Sequence, residues 1–387
     1  MIGAIKTIYK NKKLIFISLY DFLARGKNKY IRPKTLLLIR LDSIGDYILF
    51  RNFIKYLKES KRFSDYGISL VGNIIWKDLA ETYDKKYIDE FIWVDRKRFC
   101  MDRLYRLGIL SKINQRGVEI VIQPTFSREY FVADAIVAAS GAIERIGSAG
   151  DISTNSIIRK IISDRYYTHQ ISTRGEVLFE FYRNKEFFEA LLNEKIYIEK
   201  PTINVNEVDF QEMPTNKYVV ISPGAGDAFR RWSANNFSKA ADYISCKYNF
   251  DIVITGGSGD SPLANEIISK SSASNVIDLT GKITLGELTK ILSEAVLVLT
   301  NESATAHISV AIDCKTICIS TGNHFGVFNP YPSDIFNKIY YIYPTEIMSK
   351  INDFDYLSKK YRYGSKLDIN SIKVEEVLGL VDRVIEK

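Results

Sequence analysis

Apolar and polar positions follow two periods along this chain. Short, nearly unbroken apolar runs, the pattern of strands buried on both faces, occupy residues 35–41, 68–72 (ISLVG), 91–95 (FIWVD) and 118–124 (VEIVIQP). They recur as YVVISPGAG (218–226), DIVITGG (251–257) and VIDLTG (276–281), each a strand running into a glycine turn, and as VLVLTN (296–301) and KTICIS (315–320). Between the runs the period lengthens to that of a helix. Ile48, Leu49, Phe53, Ile54 and Leu57 share one face after the turn at Gly45, and residues 233–248 form a helix with Ser233 as N-cap. Thr284 and Glu287 hold capping-box spacing at the head of TLGELTKILSEA, and SATAHISVAI continues from VLVLTN as a further helix. Residues 145–200 are charged and rich in aromatics without a clear period, and read as domain-edge helices approaching a linker.

A repeated strand–helix grammar gives parallel sheets, and 387 residues exceed what one ordinary core organises. The expected architecture is α/β: two doubly wound domains facing each other across a cleft. The first spans residues 35–205 and the second 206–387, with the final helix free to pack back on the first domain.

Charge adds a third segment. Residues 1–34 carry nine Lys or Arg against one acid, Asp21, so the net charge of +7 resides there and the remaining chain is close to neutral. The same segment holds Ile5, Ile8, Leu14, Ile15, Ile17, Leu19, Phe22 and Leu23, the makings of short basic amphipathic helices. Two readings stand side by side: contact with an anionic membrane surface, or a helix packed on the first domain with a solvated basic face. Lys12 and Lys13 interrupt the apolar stretch, which argues against a signal peptide, and the body of the chain lacks the basic face of a nucleic-acid binder. No apolar run is long enough to span a bilayer. Cys100, Cys246, Cys314 and Cys318 lack the spacing of a disulfide scaffold or zinc site and read as reduced thiols in a cytoplasmic protein. His169, His307 and His324 are the only imidazoles, too few for a histidine cluster.

The chemistry concentrates where strands end. LLLIRLDSIGD (36–46) sets Asp42 and Asp46 around Gly45 at the carboxyl end of a strand, where open α/β sheets keep their ligands. SPGAGDAFRRW, TGGSGD and TNESATAHIS each put small residues just beyond a strand, ahead of a helix N-terminus. Such loops hold phosphate. Gly224 and Gly226 permit close backbone approach, Arg230 and Arg231 add positive charge, and Ser303 opens the next helix. Plainer readings exist for each: a turn glycine, a solvated arginine pair, a core histidine at His307, and at Asp46 a carboxylate that merely faces a helix dipole.

Taken in order, IRLDSIGD, ISPGAGDAFRRW, LTGKITLGELTKIL and LTNESATAHISVAI resemble glycosyltransferase family 9, the ADP-heptose:lipopolysaccharide heptosyltransferases. The resemblance covers roughly residues 35–330. It implies the GT-B fold, with the donor held mainly by the second domain, and inverting transfer with no metal and no cofactor beyond a nucleotide-diphosphate sugar as co-substrate. It implies Asp46 as general base; by its place at the strand end Asp42 hydrogen-bonds the turn or pairs with Arg40, and Gly45 makes the turn. Donor binding falls to Gly224, Ala225, Arg230, Arg231, Asp260, Asn301, Glu302, Ser303, Ala304 and His307, with Arg230, Arg231, His307 and the helix at Ser303 offsetting the leaving diphosphate. Three residues depart from the family pattern: Arg230 for lysine, Glu302 for aspartate and Ala304 for glycine. If Ala304 had to adopt positive φ, its Cβ would cost about 1 kcal/mol or more.

The expected partner is a lipid-linked saccharide of the lipopolysaccharide core or another surface glycan, met at the inner face of the inner membrane and contacting residues 46–50, 72–76 and 123–130. The alternatives are a sugar-nucleotide epimerase of the same build and a nucleotide-sugar-binding protein without turnover.

Overall fold

Two parallel sheets organise the molecule, seen in a computed structural model that describes residues 21, 30–175, 177–210 and 214–386. The first contains β1 (Arg32–Arg40), β2 (Gly67–Asn73), β3 (Glu90–Val94), β4 (Val118–Gln123), β5 (Glu144–Ser148) and β6 (His169–Ile171). The second contains β7 (Tyr218–Ser222), β8 (Asp251–Ile254), β9 (Val276–Asp278), β10 (Leu297–Asn301), β11 (Thr316–Ile319) and β12 (Ile339–Ile342). Their orders are β3-β2-β1-β4-β5-β6 and β12-β11-β10-β7-β8-β9. Counted within each sheet, both are the doubly wound order 3-2-1-4-5-6, which reverses direction beside its first strand and opens a crevice there. In each half, the strand ending in a chemistry-bearing loop is this central one: β1 runs into LDSIGD, β7 into PGAGDAFRR.

The helices that frame the cleft and its rim in the first half are α1 (Ile44–Phe50), α2 (Lys77–Tyr83), α3 (Ile157–Asp164) and α4 (Glu180–Leu192). In the second half are α5 (Ala234–Tyr248), α6 (Leu285–Glu294), α7 (Ala304–Ala311) and α8 (Val374–Ile385). The caps read from the sequence form as expected. Ser233 accepts from the amide of Asn236, and Thr284 and Glu287 close a reciprocal capping box. One apolar core runs from Leu36, Leu38 and Phe53 in the first lobe to Val220, Ile291 and Ile308 in the second, so the lobes share packing. Asp78 Oδ2 accepts from the amide of Gly286 at 2.6 Å and the Tyr83 and Thr289 hydroxyls lie 2.5 Å apart, so α2 and α6 are joined as well.

Several expectations are corrected. Residues 145–200 hold most of β5 and all of β6, besides α3 and α4. Both are short: β5, though largely buried, has Ile146 as its one large apolar residue, and β6 is mostly exposed, which explains why they leave no apolar run. The final helix does not return to the first lobe: Val377, Val381 and Val384 of α8 pack with Trp232 and Ile244 on the second sheet, and Asp382 accepts from the hydroxyls of Tyr243 and Tyr248. Of the basic amphipathic segment 1–34, residues 1–20 and 22–29 lie outside the described residues, while Arg32 and Lys34 belong to β1. Asp21 is buried and paired in two-point fashion with Arg106, at 2.6 and 2.8 Å. Among the described residues no helix is long and apolar enough to cross a membrane.

Candidate active site

From Leu36 onward β1 is apolar on both faces until Arg40, whose side chain is fully buried. A buried guanidinium requires partners, and this one has several. Its Nε lies 2.9 Å from Asp42 Oδ2, Nη1 donates to Asn184 Oδ1 at 3.2 Å, and Nη2 lies 3.5 Å from Glu180 Oε1. Asp42 therefore faces back toward the strand, while its carbonyl accepts from Asn73 Nδ2 and Trp76 Nε1. Four residues on, Asp46 occupies the first turn of α1, with its carboxylate accepting from Ser43 Oγ.

Gly45 has no positive φ, so the reading of it as a turn glycine is corrected. What its missing side chain allows is contact: a methyl group there would lie 2.6 Å from Cδ2 of His307 on α7. His307 is held from the other side, its Nδ1 lying 2.6 Å from the Tyr331 hydroxyl. Burial, with the nearby Arg230 charge, lowers its pKa to about 4. The imidazole is neutral near pH 7, which corrects the expectation that it contributes positive charge.

Two cavities flank this contact. The first, of about 590 Å³, is walled by Ile44 and Ile75 of the first lobe and by strand-end loops of the second: Gly224–Gly226, Gly256–Ser258, Asp260 and Ser303–Thr305. Gly226 faces open space, whereas a methyl at Gly224 would meet Asp260 Oδ2 at 2.6 Å; the first glycine makes room for an acid rather than for a ligand. Asp260 is fixed there by the amide of Gly257. One end of the cavity is apolar, with Ile283, Leu285 and Leu288; the other meets the N-terminus of α7, where Ser303 is extended and its hydroxyl makes no cap bond. Unused amides at a helix N-terminus favour an anion.

The other residues assigned to donor binding stand behind this wall. Asn301 is buried and spans the loop, donating to the Pro223 carbonyl and accepting from the Trp232 amide. Arg230 Nη2 donates to Glu302 O at 2.6 Å and Oε1 at 3.1 Å, and Glu302 Oε2 accepts from Ser320 Oγ. Arg231 grips the Ala225 carbonyl at 2.9 and 3.1 Å, so it shapes the glycine loop. Ala304 has no positive φ and opens α7 in ordinary helical geometry; its departure from glycine carries no backbone strain.

The second cavity, of about 470 Å³, lies on the other side of the contact and is lined by Asp42, Asp46, Thr125–Ser127, Ser153, Thr154, Glu180, Arg183, His324 and Arg362. Three of these were beyond sequence reasoning. Burial, reinforced by Asp46 and Asp42, pushes the Glu180 carboxyl to about 7. Arg183 lies against the Phe126 ring at 3.9 Å and Arg362 comes from the far end of the chain. No spacing ties them to LDSIGD; only the fold brings them there. Of the stretches expected to meet an acceptor, 125–127 line this cavity and Ile75 lines the other, but Tyr47–Phe50 are buried in the core.

Comparison with known proteins agrees with this fold. The family model described as Glycosyltransferase family 9 (heptosyltransferase) matches residues 127–338. Lipopolysaccharide heptosyltransferase 3 of Escherichia coli is 30% identical over 120 residues, which is 30% of this chain and 35% of that protein, so the match spans about a third of the relative's length. A glycosyl transferase family 9 structure from Veillonella parvula DSM 2008 superposes with a TM-score of 0.65 at 19% identity, covering 92% of this chain and 98% of the other. The E. coli heptosyltransferase WaaC with ADP-2-deoxy-2-fluoro heptose gives 0.66 at 12% identity, covering 90% and 99%. At such identities these two structures speak to the fold.

Proposed function

Since the chain belongs to glycosyltransferase family 9, we propose that it is an inverting transferase that moves a heptose or related sugar from an ADP-linked or similar nucleotide-diphosphate donor to a lipid-linked saccharide of the lipopolysaccharide core or a related surface glycan. The observation that carries the reading is the wedge of Gly45 against His307, with Asp46 on one cavity and the α7 N-terminus on the other.

The donor's base would lie against Ile283, Leu285 and Leu288, its ribose hydroxyls would donate to Asp260, and its diphosphate would meet the amides at Ser303–Thr305. A neutral His307 suits the junction, because it offers Nε2 as a hydrogen-bond partner without drawing a second anion in. On the other side Asp46 would take the proton from an acceptor hydroxyl as that oxygen bonds to the anomeric carbon and the carbon–diphosphate oxygen bond breaks. Attack from the cavity opposite the leaving group inverts the anomeric centre. No step calls on a metal, since the unused amides at the helix N-terminus stabilise the leaving diphosphate. The strain-free geometry at Ala304 removes one of the two departures, Glu302 and Ala304, that support the binding-only alternative.

The test is a donor panel of nucleotide sugars with an extracted lipopolysaccharide-core acceptor, followed by anomeric assignment of the product by NMR. An inverted glycosidic linkage formed in the presence of chelator is expected; a retained anomer, or conversion of donor without acceptor, would refute the reading.

A further inference from the structure

His307 meets the first lobe through one edge of its ring: a Cβ at Gly45 would lie 2.6 Å from Cδ2 and 3.2 Å from Nε2. The opposite edge faces Tyr331, whose hydroxyl is 2.6 Å from Nδ1. Because burial keeps this imidazole neutral near pH 7, it carries a single proton. Which nitrogen holds that proton decides whether Nε2 donates or accepts at the junction of the two cavities.

The surroundings of Tyr331 answer this. It stands in the loop between β11 and β12 and is buried. Its ring is packed against Phe179 and Phe336, each with centroids 4.6 Å away, and against His307 at 5.6 Å. Phe179 immediately precedes Glu180 of the Asp46 cavity, so the first lobe helps to aim a hydroxyl that belongs to the second. Burial pushes the phenol pKa well above its ordinary value, and the oxygen keeps its proton. Among the described residues, Nδ1 is the one hydrogen-bond partner of that hydroxyl. Were the ring to donate from Nδ1, the phenolic proton would have no protein acceptor in an aromatic enclosure, a loss that the reverse arrangement avoids. The hydroxyl therefore donates to Nδ1, and the imidazole proton sits on Nε2. Nε2 makes no hydrogen bond among the described residues and is not sealed off, so its N–H is available to a ligand.

We propose that Tyr331 is a positioning residue: its hydroxyl locks His307 in the tautomer protonated at Nε2, so that the junction presents an N–H donor to an oxygen of the bound sugar nucleotide. An imidazole free to exchange tautomers would present a bare acceptor to that oxygen part of the time, and two acceptors repel. The clause on the sugar nucleotide rests on the proposed transferase reading; the locked tautomer does not.

The experiment is NMR of the imidazole nitrogens in full-length protein carrying isotope-labelled histidine at pH 7, without ligand. With His169, His307 and His324 as the chain's only imidazoles, the signals of His307 are assigned by their loss in His307→Gln. The wild type is expected to show a protonated Nε2 and a bare Nδ1. Tyr331→Phe, which removes one oxygen and keeps the packed ring, should move the two nitrogen shifts toward each other as both tautomers become populated. In the transfer assay the same variant should lower kcat by about fivefold to tenfold, the worth of one hydrogen bond, with KM for the acceptor unchanged. A wild-type spectrum with the proton on Nδ1, or shifts that Tyr331→Phe leaves in place, would overturn the lock. An unchanged kcat in a variant whose tautomer has shifted would overturn the use of that N–H in transfer. Failure of every nucleotide sugar to bind the wild type would sink the transferase reading and leave the ligand-free spectra as they are.

Discussion

Gly45 and His307 meet across the two lobes so closely that one added methyl would lie 2.6 Å from the imidazole. Gly45→Ala must move a ring pinned by the Tyr331 hydroxyl or push α1 away from α7. Overpacking of this kind costs about 1–3 kcal/mol, read as a lowered urea midpoint. His307→Ala removes the obstacle, so the double variant should be less destabilised than the summed singles by more than about 0.5 kcal/mol. Simple additivity would mean the two residues do not touch in solution.

Asp46→Asn keeps the size of the side chain and its place in the first turn of α1 while abolishing proton acceptance. Transfer should drop by about 10²–10⁴-fold, with donor affinity by calorimetry and the melting temperature nearly unchanged. Turnover within a few-fold of wild type would remove Asp46 from the chemistry and leave it a dipole-facing carboxylate.

Glu180 predicts a pH dependence of stability. Its carboxyl is raised from 4.5 to about 7 by burial first and by the neighbouring Asp46 and Asp42 second. Between those values the folded protein holds a proton that the unfolded chain releases, so stability falls as pH rises through that window, by at most about 3 kcal/mol. His307, lowered to about 4, contributes the opposite slope between its ordinary value and about 4. Because Glu180→Gln leaves His307 in place, the difference between wild type and variant isolates Glu180. Urea midpoints at several pH values should show a shallower decline above pH 5 in the variant; parallel curves would show that Glu180 titrates normally.

Ala304→Gly restores the family residue. With Ala304 in ordinary helical geometry, glycine gains nothing locally and loses up to about 1 kcal/mol of helix propensity. Donor affinity should stay within about threefold, a difference of less than 1 kcal/mol. A tenfold gain would show that the loop needs a left-handed residue that this geometry lacks.

The legibility of the fold and site in the chain depends on how local each signal is. The central strands β1, β7 and β10, the capped helices α5 and α6, and the strand-end glycine loops are each encoded within one contiguous stretch, because burial on both faces and capping are nearest-neighbour demands. β5, buried but with Ile146 as its one large apolar residue, and the exposed three-residue β6 carry no such contiguous signal and stayed hidden. Family resemblance in four ordered motifs identified the pieces of the site but assigned them as one layer. The fold separates them: Gly224, Ala225, Asp260, Ser303 and Ala304 form the wall, while Asn301, Glu302, Arg230 and Arg231 brace it from behind.

What the sequence by itself determined was the pair of α/β halves, the places where strands end in chemistry, and the amino-terminal location of the excess charge. Tertiary structure alone decided that Gly45 exists for His307, that burial leaves this histidine neutral, and that Glu180, Arg183 and Arg362 join Asp46 in one cavity. The physical reason is that periodicity and capping are set within a turn or two of backbone. Desolvation and close approach instead depend on what lies across the gap between elements far apart in the chain.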